Sequence, residues 1–169
     1  GDSQVFLDGN PVPLLYHFGG LTSFYNSQLL NRIEFVPGNF SVRFGRKIGG
    51  ILEVEPRDPR TDGYHGFIDL SAIDASIMLE GPIGEHFAFA VAFRRSLVDL
   101  VLEFVQTSEA APAFLTAPVY YDYQAIATWT PTPNDRIRFL VYGSSDELRL
   151  LLRNPSANDF AVRGNLGIS

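Results

Sequence analysis

The side chains with which this chain could do chemistry are three histidines and a set of carboxylates. A histidine can bind a metal through a ring nitrogen, but His17, His65 and His86 have no second histidine or cysteine at a ligating spacing. The carboxylates could face a cation in a lumen or a loop, although such residues more often form the wet side of a strand. These spacings predict no metal site and no cofactor. The carboxylates are Asp69, Asp74, Glu80, Asp99 and Glu103.

Catalytic signatures do not occur in the sequence. There is no Gly-x-Ser-x-Gly nucleophile turn and no His-Glu-x-x-His zinc pair. Residues 45–50 are rich in glycine, but they lack the Gly-Lys-Ser/Thr ending of a phosphate-binding loop. We therefore predict no catalytic residues and a function other than that of an enzyme.

Charge and composition narrow the remaining classes. The chain has 13 Lys and Arg against 19 Asp and Glu, whereas a nucleic-acid-binding domain would carry a basic stripe. Hydrophobic residues make up 46% of the chain, yet no apolar run approaches the ~18 residues of a membrane helix. The 14 Phe, 7 Tyr and single Trp suit a lipid-exposed sheet with aromatic girdles. A soluble β-sandwich with a Phe-rich core would have the same composition.

The elements that must position these residues are clearest in the second part of the chain, where apolar residues recur at every second position. From Tyr121 to Trp129 the odd positions are aromatic or alanine and the even ones are polar, with Ile126 the exception. Between residues 87 and 93, phenylalanine and valine alternate with alanine. A two-residue period predicts strands that carry bulky apolar side chains on one face.

Breaks in this period predict the turns, because a one-residue slip exchanges the two faces of a strand. A turn, rather than a bulge, is favoured near residues 72–74. Short connections at 81–86 and 131–135 and a long loop at 103–117 then follow, as periplasmic turns and extracellular loops do in a membrane barrel. The predicted strands are 64–72, 75–81, 87–99, 118–130, one beginning at Arg136 and a sixth at 160–169.

Three aromatic residues mark the predicted membrane interfaces. Trp129 lies beside the second short turn, whereas Tyr121 and Tyr123 lie towards the other end of the same strand. At a rise of about 3.3 Å per residue and a tilt of about 40°, this segment crosses about 20 Å, close to the apolar band of about 25 Å in outer-membrane barrels.

Residues 1–56 have a different texture, with many glycines and prolines between short apolar runs. An Asp8-Gly9 turn joins two extended pieces at 5–7 and 11–13. Residues 57–63 are polar and without periodicity, and they are predicted to be a linker. The other predicted elements are a short helix at 27–31, with Leu29, Leu30 and Ile33 on one face, and strands at 33–36 and 51–55.

A strand, a glycine-containing turn, an aromatic-glycine pair and a Gly-Gly pair before a further strand follow one another within residues 31–54. Their order and spacing resemble the end of the plug domain in TonB-dependent outer-membrane receptors. Residues 5–9 are similar to that family's upstream Val-x-Val-Asp-Gly hairpin, and residues 73–84 to its first barrel hairpin and periplasmic turn. The matching motif residues are Arg32, Glu34, Gly38, Arg43, Phe44, Gly45, Gly49 and Gly50.

The motif departs from the family pattern at three places. The turn reads Pro37-Gly38 instead of Gly-Pro, Phe44 replaces the usual tyrosine, and Glu53 stands where asparagine is common. These departures concern the subfamily rather than the family. The motif's charges could pair across a polar lumen or be solvated loop charges. They are Arg32, Arg43, Arg46 and Lys47 against Glu34, Glu53 and Glu55.

The resemblance implies a mainly β chain, with a partial plug domain followed by antiparallel up-and-down strands of a transmembrane β-barrel. It assigns 1–56 to the C-terminal half of the plug, 57–63 to a linker and 64–169 to the first barrel strands. About six strands are too few for a closed barrel, since the smallest have about eight and plugged transporters about 22. We therefore expect a fragment, or a chain that another chain completes.

By the same resemblance, the protein is an energy-coupled receptor in the bacterial outer membrane for an unidentified ligand. The expected partners are outer-membrane lipid, the remainder of the barrel and a TonB-type energy-coupling complex, which pulls on the N-terminus to open the plug. No nucleic acid is expected. Residues predicted to face a ligand near the plug apex or to contact the wall are Tyr16, His17, Phe18, Arg43, Phe44 and Arg46.

Two other functions stay open from the sequence. One is a soluble β-rich binding module, in which the phenylalanines of residues 87–93 would form a core. The other is an outer-membrane protein of the same architecture that serves as a structural or secretion partner and transports nothing.

Overall fold

The computed structural model describes residues 4–12, 16–18, 20, 22–38, 49–106 and 114–152. Within these residues the chain is mainly β, and its largest sheet has five antiparallel strands in the order β11-β10-β9-β8-β7. Each strand therefore pairs with the next one along the chain, which confirms the predicted up-and-down arrangement. The strands of this large sheet are β7 (His65–Leu70), β8 (Asp74–Ile83), β9 (Phe87–Ser96), β10 (Phe114–Thr132) and β11 (Asp135–Leu152).

The two faces of the large sheet differ as the two-residue period predicts. Ala90 and Ala92 on β9 are buried, whereas Phe93 on the same strand is exposed. On β11, Phe139 and Val141 are each 58% exposed. We call the face with the buried alanines the inner face and the opposite one the outer face.

A smaller sheet forms from the first part of the chain, in the order β2-β1-β6-β5. The predicted Asp8-Gly9 turn joins β1 to β2, and both residues have positive φ angles, 50° and 77°, which suit a tight hairpin. Strand β1 also pairs in parallel with β6, a pairing that local sequence patterns do not indicate. The strands are β1 (Gln4–Leu7), β2 (Asn10–Val12), β5 (Leu30–Val36) and β6 (Ile51–Pro56).

The segment between β2 and β5 forms a short hairpin and a single 3₁₀ turn. The hairpin pairs β3 (Tyr16–His17) with β4 (Thr22–Ser23). The prediction of a helix at 27–31 with Leu29, Leu30 and Ile33 on one face is wrong, because only Ser27–Leu29 is helical. The Leu30 N–H closes this turn on the Ser27 carbonyl, and the backbone is extended from Leu30 onward, so that Leu29 is buried and Ile33 exposed.

An apolar cluster joins the inner face to the residues before position 57, which we call the N-terminal unit. Ile126, the exception to the polar pattern of its strand, is buried in this cluster, so the exception has a packing reason. The N-terminal unit contributes Leu7, Val12, Phe24, Tyr25, Leu29 and Val54, and the inner face contributes Met78, Ala90, Ala92 and Ile126.

Three connections differ from their predicted bounds. Helix α1 (Val98–Gln106) extends into the predicted loop at 103–117, and β10 begins within that loop, at Phe114. Strand β9 ends at Ser96 instead of near residue 99. The short connections predicted at 81–86 and 131–135 are tighter, since β8 extends to Ile83 and β10 to Thr132. The turn near 72–74 is present between β7 and β8. The predicted strand at 160–169 lies outside the described residues.

Residues 57–63 contain no strand, as expected of a linker, but Pro59 within them is buried. The assignment of domains on either side of them stays a prediction. Among the residues that the structure describes, no helix is long and apolar enough to cross a membrane.

Candidate functional site

The inner face carries polar side chains in register across neighbouring strands, where it meets the N-terminal unit. Ser76, Arg94, Asp122 and Ser144 follow one another across β8, β9, β10 and β11. The next such row, one step further from the tight turns, is Asp74, Ser96, Tyr120 and Asp146, in which the Tyr120 backbone N–H donates to Oγ of Ser96 at 3.2 Å. Antiparallel register therefore brings together side chains that are distant in sequence.

His17 of the β3–β4 hairpin is inserted between two aspartates of these rows. Its Nε2 lies 2.7 Å from Oδ1 of Asp122, and its Nδ1 is bonded to Oδ1 of Asp146. The ring stacks on Tyr120 with centroids 4.5 Å apart and an interplanar angle of 16°. His17 is only 1% exposed, so the N-terminal unit presents a buried ring to two carboxylates of the sheet.

The two carboxylates favour the charged form of this ring. Burial alone would lower the pKa of His17, but the hydrogen bonds and negative charges of Asp122 and Asp146 outweigh it and raise the pKa above its usual 6.5. Only the imidazolium has an N–H on both ring nitrogens, so only the charged ring can donate to both aspartates.

Arg94 holds the second strand of the same hairpin. Its guanidinium donates to Oδ2 of Asp122, with Nε at 2.8 Å, and also to Oγ1 of Thr22 at 3.2 Å and to the carbonyl of Ser23. The guanidinium carbon lies 5.3 Å from the centre of the Tyr120 ring. We call His17, Arg94, Tyr120, Asp122 and Asp146 the histidine contact.

Gln124 continues the attachment next to the histidine contact. Its Nε2 donates to the carbonyl of Phe24 at 2.6 Å, and its Oε1 accepts from the backbone N–H of Asn26 at 2.9 Å. A single buried side chain of the sheet thus satisfies two backbone groups of the N-terminal unit, which otherwise would be costly to bury. A cavity of about 170 Å³ lies beside it and is lined by polar groups that include Asn26, Gln28, Asp69, Asp74 and Arg94.

A second attachment lies nearer the tight turns of the large sheet and uses arginine. Arg57 donates to both oxygens of Glu80 at 2.7 Å, and Glu80 also accepts from the Arg60 backbone N–H at 3.0 Å. Glu80 is 2% exposed, so this bidentate pair is largely shielded from water.

Arg138 of β11 adds two ion pairs at this end. It contacts Asp8 of the β1–β2 turn and Asp58, each at 3.0 Å. Arg136 pairs with the same Asp58 from a more exposed position. We call Asp8, Arg57, Asp58, Glu80, Arg136 and Arg138 the arginine contact.

The structure places the predicted ligand-facing residues in different environments. Tyr16 is exposed, Phe18 is half-buried with a positive φ of 47°, and His17 has both ring nitrogens occupied. Arg46 lies outside the described residues. Ligand contact by any of these four residues stays a prediction.

The predicted plug motif is described only in part. Arg32 pairs with Glu34 at 3.2 Å and Glu55 at 3.3 Å within the smaller sheet, and all three side chains are substantially exposed. These pairs form within one sheet, and the pairing of the motif's charges across a lumen stays a prediction. A Cβ on Gly50 would lie 2.4 Å from the Phe35 ring, so a larger residue there would require this exposed ring to move. Gly38 and Gly49 are described, whereas Arg43, Phe44, Gly45 and Lys47 lie outside the described residues.

The predicted interface aromatics all lie on the outer face. Tyr123 and Trp129 are exposed, and Trp129 is close to the turn between β10 and β11. Tyr121 is half-buried, and its hydroxyl accepts from Nε of Arg95 at 3.2 Å. Their location at a membrane edge stays a prediction.

Sequence reasoning missed most members of the two contacts. Glu80 and Asp74 were candidates for a wet strand face, but Arg94, Asp122, Asp146 and Arg57 had no assigned role. The available signal was that Gln124 lies opposite Ala92, on a face where β9 carries three small alanines (88, 90 and 92) before Arg94, which leaves room for a packed partner. No group of three potential ligands able to hold a metal occurs in the described part of the chain.

Comparisons with known proteins confirm the resemblance at the level of the fold. No protein-family model and no curated protein matches the sequence. Two mutants of the ferric enterobactin receptor PfeA from Pseudomonas aeruginosa, one in complex with enterobactin, superpose with a TM-score of 0.58 and 19% identity over 87% of this chain. The siderophore receptor PirA from Acinetobacter baumannii superposes with a TM-score of 0.58 and 15% identity over 88%.

This chain spans about a quarter of the length of those receptors, covering 25% and 26% of the two PfeA chains and 24% of PirA. At these identities the likeness concerns the fold alone. The chain therefore has the mainly β fold of the corresponding part of these receptors.

Proposed function

We propose that this chain is part of an outer-membrane TonB-dependent receptor that takes up a ligand with external energy. The N-terminal unit is then the C-terminal half of a plug (1–56), 57–63 is the linker and 64–169 begins the barrel. The observation that supports this proposal is the contrast between the faces of the large sheet. The outer face exposes a continuous set of apolar side chains, while the inner face binds a folded unit through apolar, ionic and backbone contacts.

The proposed mechanism follows from this arrangement. In a membrane, the exposed apolar rows would face lipid, and the inner face would line a lumen that the N-terminal unit obstructs. The remainder of the barrel would come from outside this chain, because an open sheet edge is not stable in hydrocarbon. A TonB-type complex would then open the path by pulling the plug away from the wall.

The ligand class that we propose is a ferric siderophore. PfeA is named as a ferric enterobactin receptor, and one of its mutants was solved with enterobactin. PirA is named as a siderophore receptor. The residues that we propose to face this ligand are Tyr16, His17, Phe18 and Arg46.

The architecture is tested by fractionating cells that express the intact protein from which this chain comes. We expect it in the outer-membrane fraction, with an electrophoretic mobility in SDS that changes on boiling because a closed barrel resists the detergent at room temperature. A monomeric protein in the soluble fraction would contradict the proposal and support the soluble binding module. That alternative fits poorly with Phe139 and Val141, which are exposed on the same face as Trp129.

Transport is tested separately with radio-iron-labelled ferric enterobactin as the probe. We expect iron-starved cells to accumulate it only when both the intact protein and TonB are present. Accumulation that does not need TonB would exclude energy coupling. Correct membrane insertion without TonB-dependent uptake of any ferric siderophore in a panel would instead favour the non-transporting partner.

A further inference from the structure

Helix α1 packs on the outer face of the large sheet, at the end opposite its tight turns. Arg95 lies on this face because it is two residues from exposed Phe93, and Arg149 is an even number of residues from exposed Val141. Both arginines donate to Oδ2 of Asp99 in the first turn of α1, at 3.0 Å and 2.9 Å. Asp99 is fully buried, so this carboxylate fixes the helix to two strands.

The burial of β10 agrees with this placement. Ala117 and Val119 share the outer face with exposed Tyr123, yet both are fully buried. Helix α1 contacts β10, which agrees with the burial of both side chains at this end of the outer face. The outer face is therefore bare over its apolar rows and covered by α1 immediately beyond them.

The side of α1 that faces away from the sheet is apolar. Leu100, Val101 and Phe104 are spaced at i, i+1 and i+4, which places them in one stripe, and all three are exposed. Phe104 is 80% exposed, the largest exposure among the large apolar side chains described. An exposed apolar stripe of this kind marks a surface that contacts a partner or a membrane.

The position of α1 along the strands indicates what contacts its apolar stripe. The row that contains Arg95 and Tyr121 lies one step beyond the row that contains Ile77, Phe93 and Tyr123. One step along a strand of two residues is about 7 Å, which is the scale of a lipid headgroup layer. The stripe of α1 therefore continues the apolar outer face at its edge.

The charges around α1 argue against recognition of a phosphate. Asp99 neutralises part of the charge of Arg95 and Arg149, and Glu147 contacts Arg149 at 3.4 Å. Glu103 adds a further negative charge on the helix itself. No net positive charge remains in this group, so the apolar stripe is the part that selects the partner.

We propose that α1 is an interfacial helix that inserts Leu100, Val101 and Phe104 into the acyl-chain boundary of the outer leaflet. Asp99 fixes the first turn of the helix to the sheet, and the stripe on its exposed side then points into lipid. This inference rests on the proposed function, because it needs the outer face to be embedded in a membrane. It adds a lipid-binding element that neither a strand nor an aromatic girdle supplies.

The test places a photo-crosslinking amino acid, benzoylphenylalanine, at one position at a time in the intact protein in native outer membranes. Position 104 probes the stripe, position 103 is a control on another side of the same helix, and position 139 probes the apolar outer face. Illumination is followed by detection of lipopolysaccharide or phospholipid adducts. We expect severalfold more lipid adduct at position 104 than at position 103, and strong lipid adduct at position 139.

Three results would overturn the inference. They are an adduct at position 104 with a second copy of the protein, an adduct there with another protein, and lipid adducts no more frequent at 104 than at 103. If position 139 still gives lipid adducts in these cases, the outer face is in the membrane and only the role of α1 fails. If neither 104 nor 139 reaches lipid, the proposed membrane location fails as well.

Discussion

The N-terminal unit is attached to the large sheet at two places along its strands, and the two attachments use different ionisable side chains. In the histidine contact, the imidazole ring of His17, which can gain or lose a proton, lies between Asp122 and Asp146. In the arginine contact, the linker residue Arg57, whose backbone N–H donates to the Leu29 carbonyl of the unit, forms a bidentate pair with the buried carboxylate of Glu80. The apolar cluster that includes Ile126 also joins the unit to the inner face.

The difference lies in which attachment can change under physiological conditions. Arginine stays protonated at every pH that a cell experiences, so the arginine contact has a fixed strength. Histidine gains or loses its charge near neutral pH, so the strength of the histidine contact depends on the proton concentration. The N-terminal unit, which we propose is released from the wall as a plug, therefore has one permanent and one adjustable attachment.

The largest effect is expected from removing the permanent attachment with Arg57→Ala. This substitution leaves the Glu80 carboxylate buried without its cation, and breaking such a pair costs about 3 kcal/mol when one partner is partly exposed. The N-terminal unit should open more often near Arg57. The backbone N–H of residue 57 donates to the Leu29 carbonyl, and the N–H of Leu29 donates to the Asn26 carbonyl. Hydrogen exchange of both amides should accelerate about a hundredfold.

A matched double variant checks the cause of this loss. Combining Arg57→Ala with Glu80→Gln removes the uncompensated charge while keeping the size of the side chain. Exchange should then be slower than in Arg57→Ala alone. If the double variant exchanges as fast as the single one, the lost hydrogen bonds of Arg57, and not the buried charge, explain the effect.

The adjustable attachment should weaken as the pH rises. The pKa of His17 in the folded protein is above its ordinary 6.5, so its stabilisation is complete below about 6.5 and is lost as the pH rises through the raised pKa. The neutral ring keeps one N–H and can donate to only one aspartate. Protection of the Gly20 amide, which donates to the His17 carbonyl, should fall by a factor that corresponds to about 1.5–3 kcal/mol.

His17→Gln provides the comparison for this pH dependence. A glutamine amide does not titrate, so protection of residues 16–26 should be lower than in the wild type at low pH and constant across the same window. Amides beside Arg57 should be independent of pH in both proteins. Exchange rates corrected for intrinsic pH effects that stay flat around Gly20 in the wild type would show that the histidine contact is not adjustable.

The sequence was sufficient to predict the faces of the large sheet, because alternation is a local property of each strand. In residues 87–93, the bulky side chains that alternate with alanine indicate the outer and inner faces directly. The turns follow from the positions at which the two-residue period is interrupted. Ile126 disagreed with its strand for a reason outside the strand, namely the cluster with Leu7 and Leu29. A local pattern records that an exception exists but not which distant residues cause it.

The histidine contact could not be predicted for the same reason. His17 is 105 residues from Asp122 and 129 residues from Asp146, and their approach depends on the register of four strands together with the position of the hairpin. Helix α1 was missed because its apolar stripe points away from the protein and Asp99 is buried, so the usual pattern of a buried apolar face is reversed. A sequence reading that assigns apolar residues to the inside does not find such a helix.

The smallest effect is expected from Arg136→Ala, which tests whether burial, and not the number of ion pairs, gives the arginine contact its strength. Arg136 pairs with Asp58, but its side chain is 54% exposed, and an ion pair of this kind is worth about 0.2–1 kcal/mol. Arg138 pairs with the same Asp58 and with Asp8 from a side chain that is 16% exposed. Exchange near Asp8 should therefore change less than about fivefold in Arg136→Ala, and clearly more in Arg138→Ala. If Arg136→Ala were as damaging as Arg57→Ala, exposure would not decide the strength of these pairs, and the permanent attachment would be spread over the surface of the contact instead of depending on Glu80.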